Sequence, residues 1–307
     1  MDVTKVIIPA AGFGTRFLPW TKAIPKEMLP LLDKPAIQYI IEESLSSGIT
    51  DFSIVSSKSK QTLENHFDAN PNLELFLQER NKLNLIANVE KILRTANFTY
   101  VRQPEPLGLG HAIWTARNTI GKEYFGVLLP DELFFSRDPG LAQLIRIARQ
   151  ERATVVAVQE VPMDQISSYG IVGIKKQITP KLFQVSQLVE KPKQKDAPSN
   201  LAMIGRYVLS HKVFDSLKEM STYAVGELQL PDGISHMLKN GEKVFAYKIQ
   251  GTRYDIGQPI GWIKAIIGVA LQDPRYSSHV REYLKDLSSI NSFLYNNNNN
   301  TKHPPAK

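Results

Sequence analysis

Residues 5–30, KVIIPAAGFGTRFLPWTKAIPKEMLP, constrain this chain more than any other stretch. Val6, Ile7 and Ile8 are consecutive and apolar, as a parallel strand covered on both faces requires. The run then breaks into small residues: Ala10, Ala11, Gly12 and, one position later, Gly14. Two glycines so close let the backbone approach a ligand and aim successive N–H groups at an anion. Arg16 and Lys26 flank the proline-punctuated segment that follows, adding cationic donors suited to a polyphosphate. The stretch predicts a nucleotide triphosphate site at the carboxyl end of a first strand. Two familiar phosphate motifs fail on spacing. The dinucleotide fingerprint needs a third glycine where Phe17 stands, and Thr15-Arg16 does not supply a P-loop. A bare Gly-x-Gly after a strand also suits a plain tight turn.

Periodicity predicts a helix over 36–48 ending at Gly48, a strand over 51–55 and a short helix over 59–67. A longer, loosely periodic helix is expected over 72–93, then a strand over 97–103. Gly108 and Gly110 form a flexible turn opening another helix. A strand at 126–129 ends just before Asp131, where ligands lie in open α/β sheets, although an Asp there also serves as a turn residue. A helix over 141–152 and a strand over 153–161 follow. Residues 169–174, 182–189 and 201–209 read as strands with little helix between them, extending the sheet or forming a smaller β-rich part. Further along, 232–239 reads as helix, 243–249 as strand, and the segment from Pro259 as a helix with Trp262 and Ile266 on one face. The expected class is α/β, with a Rossmann-like, mixed, largely parallel central sheet flanked by helices. One domain is expected over 1–290, divided at about 160, with a last helix over 271–290. The Asn-rich segment and the rest of 291–307 read as a disordered tail.

Composition narrows the function classes. The 307 residues carry a formal charge of +7, which suits an anionic ligand. The basic residues are scattered and lack interleaved aromatics, so nucleic acid is not the expected partner. There is no Cys, which removes disulfides and thiolate metal sites. No apolar run approaches the roughly 20 residues of a membrane span, and no membrane partner is expected. A cytoplasmic, homo-oligomeric protein is the expectation.

The run Gly12-Phe13-Gly14-Thr15-Arg16, then Leu18-Pro19 and Pro25-Lys26-Glu27-Met28-Leu29-Pro30, resembles the signature of the sugar-1-phosphate nucleotidylyltransferases. Its Pro-Lys-Glu-Met form resembles the branch that couples UTP to glucose 1-phosphate. The resemblance extends to about Ala270, with the motifs in family order. It implies that Ala11, Gly12, Gly14, Glu27, Gln103 and Gly108 bind the nucleotide, the Gln103 amide and the backbone at Gly108 reading the uracil edge. Gly170, Glu190 and Lys191 are implied for the sugar phosphate, Arg16, Lys26 and Lys191 for catalysis, and Asp131 and Asp255 for Mg²⁺. An Asx-turn is the lesser reading of Asp255, and Glu132 is not assigned as a ligand. The implied reaction turns UTP and glucose 1-phosphate into UDP-glucose and pyrophosphate by direct in-line displacement. A thymidylyltransferase and a catalytically silent paralogue are the alternatives. Trp20 and Pro231 depart from the family pattern, and Pro231 is expected to shift the start of its helix.

Overall fold

The computed structural model describes residues 1–222 and 226–298, and for 288–298 the backbone alone. Strand β1 (Lys5–Pro9) leads into the glycine turn, several 3-10 turns and a hairpin of β2 (Pro30–Leu31) and β3 (Lys34–Pro35). Helix α1 (Ala36–Ser46) returns to β4 (Asp51–Ser56), and α2 (Gln61–His66), α3 (Pro71–Gln78) and α4 (Ala87–Thr95) reach β5 (Asn97–Arg102). Then come α5 (Leu109–Thr115), α6 (Arg117–Ile120), β6 (Phe125–Leu128), β7 (Glu132–Phe135), α7 (Gly140–Glu151) and β8 (Thr154–Glu160). The remainder comprises β9 (Gly170–Gln177), β10 (Leu182–Glu190), β11 (Leu201–Leu209), α8 (Lys212–Ser221), α9 (Leu230–Lys239), β12 (Val244–Lys248), β13 (Thr252–Asp255), α10 (Pro259–Ala270) and α11 (Ser277–Asn298).

Nine strands form one sheet in the order β5-β4-β1-β6-β11-β8-β12-β10-β9. The first four are mutually parallel, and β12 is parallel to β8. The other joins are antiparallel, through β11 and β10. The sheet is therefore mixed, with its parallel half first in sequence. Strands β9, β10 and β11 extend it, the first of the two arrangements open in sequence. Val6 and Ile8 point to a core shared with Ile37, Ile40 and Ile41 of α1 and Leu141 and Leu144 of α7. Ile7 points to the opposite core, with Ile113 of α5 and Leu217 and Ile234 of α8 and α9. All three β1 side chains are fully buried, because helices cover both faces of the sheet.

Several boundaries depart from expectation. The helix expected over 72–93 is broken: Asn70 caps α3, accepting from Leu73 N–H at 3.2 Å, and the chain turns at Asn81 (φ 54°) before α4. Leu73, Leu75, Phe76, Leu83 and Leu85 are exposed and Leu77 is the one buried residue of α3, which explains the loose periodicity. Helix α8 was not expected; three residues, Val213, Phe214 and Leu217, carry most of its buried face. Pro231 sits in the first turn of α9, where its missing N–H costs no hydrogen bond, and the helix starts at Leu230 rather than 232. Helix α11 runs past residue 290 to Asn298, and the rest of the expected tail lies outside the described residues.

Candidate active site

The carboxyl end of β1 opens onto a cavity of about 290 Å³ lined by Ala11, Gly12, Lys26, Glu27, Gln103 and Gly108, with Asp131 at its edge. A Cβ on Gly12 would meet nothing within 4 Å, so open space lies over the backbone there. Gly14 does not line the cavity. It turns the chain at φ 67°, its carbonyl accepting from Thr21 Oγ1 at 2.8 Å. Gly108, at φ 100°, is required by a different neighbour: a Cβ would come within 2.5 Å of the Leu228 carbonyl. Leu228 N–H donates to the Leu107 carbonyl and Gly110 N–H to the Leu228 carbonyl, both at 2.8 Å. The segment before α9 is thereby laced to the turn before α5.

A second, smaller cavity of about 180 Å³ is lined by Asp131, Asp255, Gly170, Glu190, Gln229 and Pro231. The third and largest, about 820 Å³, takes in Arg16, Lys191, Tyr254, Asp255 and Lys264. Asp131 borders the first two; Arg16 and Asp255 border the last two. The three therefore meet at one junction, where the two aspartates face each other. Trp20 is exposed and belongs to none of these walls.

The two-stranded ribbon of β7 and β13 makes that junction. Its register sets Asp255 opposite Glu132, next to Asp131, and Ile256 N–H donates to the Asp131 carbonyl at 2.8 Å. A Cβ placed on Gly257 would lie 3.1 Å from both Asp131 Oδ2 and Asp255 Oδ1. Gly257 N–H also donates to Asp255 Oδ1 at 2.9 Å, so the Asx-turn anticipated at Asp255 is present while its carboxylate still faces Asp131. Glu132 does not join them. Arg253 clamps both its oxygens at 2.6 Å, and burial raises its pKa to about 7 against the pull of that guanidinium.

Lys26 Nζ donates to Asp131 Oδ2 at 2.5 Å. Burial disfavours the charge on each, yet their attraction prevails, raising the Lys26 pKa and lowering that of Asp131. Arg16 reaches the Gly257 carbonyl at 3.4 Å from the opposite side. Glu27 is buried, and its Oε2 accepts from Lys60 Nζ at 2.7 Å while no partner among the described residues reaches Oε1. Lys60 is itself buried, which pulls its pKa down in spite of Glu27.

Lys191 adopts φ 44°, a costly conformation for a non-glycine residue, held by its N–H to the Tyr169 carbonyl at 3.0 Å. It leaves β10 toward the large cavity, its Nζ 3.4 Å from Glu190 Oε1. Burial raises the Glu190 carboxyl pKa, with Lys191 opposing. Gly170 packs against two flexible side chains: a Cβ there would meet the tip of Met203 at 2.3 Å and the Glu190 carboxylate at 2.9 Å.

Every residue expected at the site, Gly14 excepted, thus lines this cluster of cavities. Sequence reasoning missed Lys60, Gly257 and the Glu132–Arg253 clamp. No local pattern marks Lys60, which stands one residue before α2. Gly257 closes the Tyr-Asp-Ile-Gly run and was visible, though not its contact with two carboxylates.

Comparison with known proteins gives the family of the chain. The family profile described as Nucleotidyl transferase matches residues 5–272. The chain is 47% identical over 285 residues to UTP–glucose-1-phosphate uridylyltransferase 2 of Staphylococcus saprophyticus, covering 93% of this chain and 98% of that protein. Among solved structures, the UTP-bound UGPase from Acinetobacter baumannii superposes with a TM-score of 0.86 at 36% identity, over 93% of this chain and all (100%) of that one. A UDP-glucose pyrophosphorylase complexed with UDP-glucose superposes with a TM-score of 0.80 at 38% identity, over 89% and 100% of the two chains. The chain belongs to the nucleotidyl transferase family, in its UTP–glucose-1-phosphate uridylyltransferase branch.

Proposed function

We infer that this chain transfers the uridylyl group of UTP to α-D-glucose 1-phosphate, giving UDP-glucose and pyrophosphate. The observation that carries the reading is the junction at Asp131 and Asp255, reached by Lys26 from the glycine-turn side and by Arg16 from the large cavity. UTP would lie along the glycine turn with its base toward Gln103, and the sugar in the small cavity that Gly170 and Glu190 line. A sugar-phosphate oxygen attacks the α-phosphorus, and the bond to the bridging oxygen of pyrophosphate breaks on the opposite side. A phosphate monoester is already ionised near neutral pH, so no general base is required. Two polyanions must meet, and the chain's contribution is alignment and neutralisation of charge. Lys26 serves the phosphates undergoing transfer, Lys191 the attacking sugar phosphate, and Arg16 the triphosphate and leaving pyrophosphate.

The family's divalent cation, proposed here as Mg²⁺, fits the pair Asp131 and Asp255. Two carboxylate oxygens converge over a glycine that leaves the space free, and hard oxygen donors of this kind suit a cation that takes its other ligands from water and phosphate. When bound, it would supply charge stabilisation to phosphoryl oxygens. Exposed Ile263 and Ile267 on α10 and Tyr283 on α11 support the expected homo-oligomer, which light scattering would read. Pyrophosphate release with glucose 1-phosphate and each of UTP, dTTP, CTP, ATP and GTP tests the function. Turnover with UTP is expected to lead, and absence of turnover with UTP and dTTP alike would overturn the reading.

A further inference from the structure

Gln103 is buried at the end of β5, with its side chain in the wall of the nucleotide cavity. Its Nε2 lies 3.3 Å from the Gly108 carbonyl oxygen and 2.9 Å from His111 Nδ1. The carbonyl can only accept, so the NH₂ end of the amide must face it. The second amide hydrogen then points at His111 Nδ1, which must offer a lone pair and leave the ring proton on Nε2. Burial favours that neutral ring against the pull of Glu105. With both hydrogens engaged, Oε1 is the polar atom Gln103 has left for a ligand, and no donor among the described residues reaches it.

We propose that His111 is a positioning residue for base selection, its Nδ1 lone pair and the Gly108 carbonyl together locking the Gln103 amide with Oε1 toward the base. The proposal rests on the reading of Gln103 as the base-contacting residue. A side-chain amide free to rotate reads either edge: its oxygen pairs with a ring N–H, its NH₂ with a ring lone pair. A locked Oε1 pairs with the imide N3–H of uracil or thymine and opposes the lone pair at cytosine N3. The lock therefore rejects cytidine nucleotides and is indifferent to the methyl group separating thymine from uracil. His111 lies on the first turn of α5, directly after the glycine turn whose Gly108 carbonyl supplies the other half of the lock. One short segment thus carries both acceptors.

The test compares kcat/KM for UTP, dTTP and CTP in the full-length protein and in H111L, H111N and Q103A. H111L should lower the preference for UTP over CTP by about tenfold or more, the worth of one well-placed hydrogen bond, with the UTP to dTTP ratio unchanged. H111N retains an acceptor near the Nδ1 position and should recover most of the preference. An unchanged UTP to CTP ratio in H111L, with Q103A relaxed, overturns the lock while leaving the role of Gln103 intact. Equal loss in H111N and H111L also overturns it, since packing rather than a lone pair would then matter. If Q103A leaves base preference untouched, the underlying reading of Gln103 fails instead. A measurement on the unmodified protein stands beside these: ¹⁵N–¹H correlation of the imidazole nitrogens should show His111 protonated at Nε2, and an Nδ1–H tautomer would overturn the proposal.

Discussion

Lys26 Nζ sits 2.5 Å from Asp131 Oδ2, so one of the two carboxylates facing the junction is neutralised from within the chain. A divalent cation approaching Asp131 would compete with an ammonium. Incoming phosphates offer Lys26 an alternative partner, which would free the carboxylate as substrate arrives. Lys26→Met should therefore bind Mn²⁺ more tightly than the parent in the absence of nucleotide, while turnover falls by about 10²-fold or more. Titration by electron paramagnetic resonance reads the first quantity. Weaker Mn²⁺ binding in the variant would show that the lysine supports the metal site rather than competing with it.

Asp131→Asn and Asp255→Asn keep the size of each side chain and remove its charge. Each should cut turnover by about 10²-fold or more and raise the metal concentration needed for half-maximal rate. Parent-level activity at limiting Mg²⁺ in either variant would remove that residue from the proposed metal site.

Gly257→Ala tests the same site without altering a charge. The added methyl would lie 3.1 Å from both carboxylate oxygens, in space that a cation and its ligands need. Metal-dependent turnover should fall by about tenfold or more in a variant whose circular dichroism matches the parent's. A variant with full activity would place the cation elsewhere.

Lys191 and Arg16 should separate by ligand. Lys191→Ala is expected to reduce glucose 1-phosphate turnover sharply and spare equilibrium UTP binding. Arg16→Ala should weaken UTP and pyrophosphate, each loss corresponding to about 1.5–3 kcal/mol for a charge-assisted hydrogen bond. Calorimetric titration of both variants with both ligands decides this. Equal loss of UTP affinity in the two would mean one shared anion cluster.

The buried pair of Lys60 and Glu27 makes a stability prediction. Lys60→Met leaves an uncompensated carboxylate in the interior and should destabilise the fold by about 3–5 kcal/mol in denaturant unfolding. Adding Glu27→Gln should restore much of that loss, because the stranded charge is gone. A double variant no more stable than Lys60→Met would show that the lysine's packing, not its charge, is what matters.

How far the sequence reaches is clearest at β1 and at Asp255. Val6, Ile7 and Ile8 announce a strand covered on both faces because local composition dictates it, and the glycine turn follows from backbone freedom at Gly12 and Gly14. The motifs at Lys26, Gln103, Asp131 and Lys191 stand in an order that resembles one family, and the comparisons bear that resemblance out. Strands 169–174, 182–189 and 201–209 were legible as strands, but their place in the central sheet was not, since pairing joins residues far apart in the chain. The same holds for the site. Asp131 and Asp255 meet only because β7 pairs with β13, two four-residue strands too short to declare themselves alone. Lys60 finds Glu27 through the packing of separate segments, and His111 finds Gln103 across the turn at Gly108. Residue identity and local propensity determined which chemistry this protein carries. Long-range pairing and packing decided which side chains face one another, because those contacts form only when the sheet is assembled.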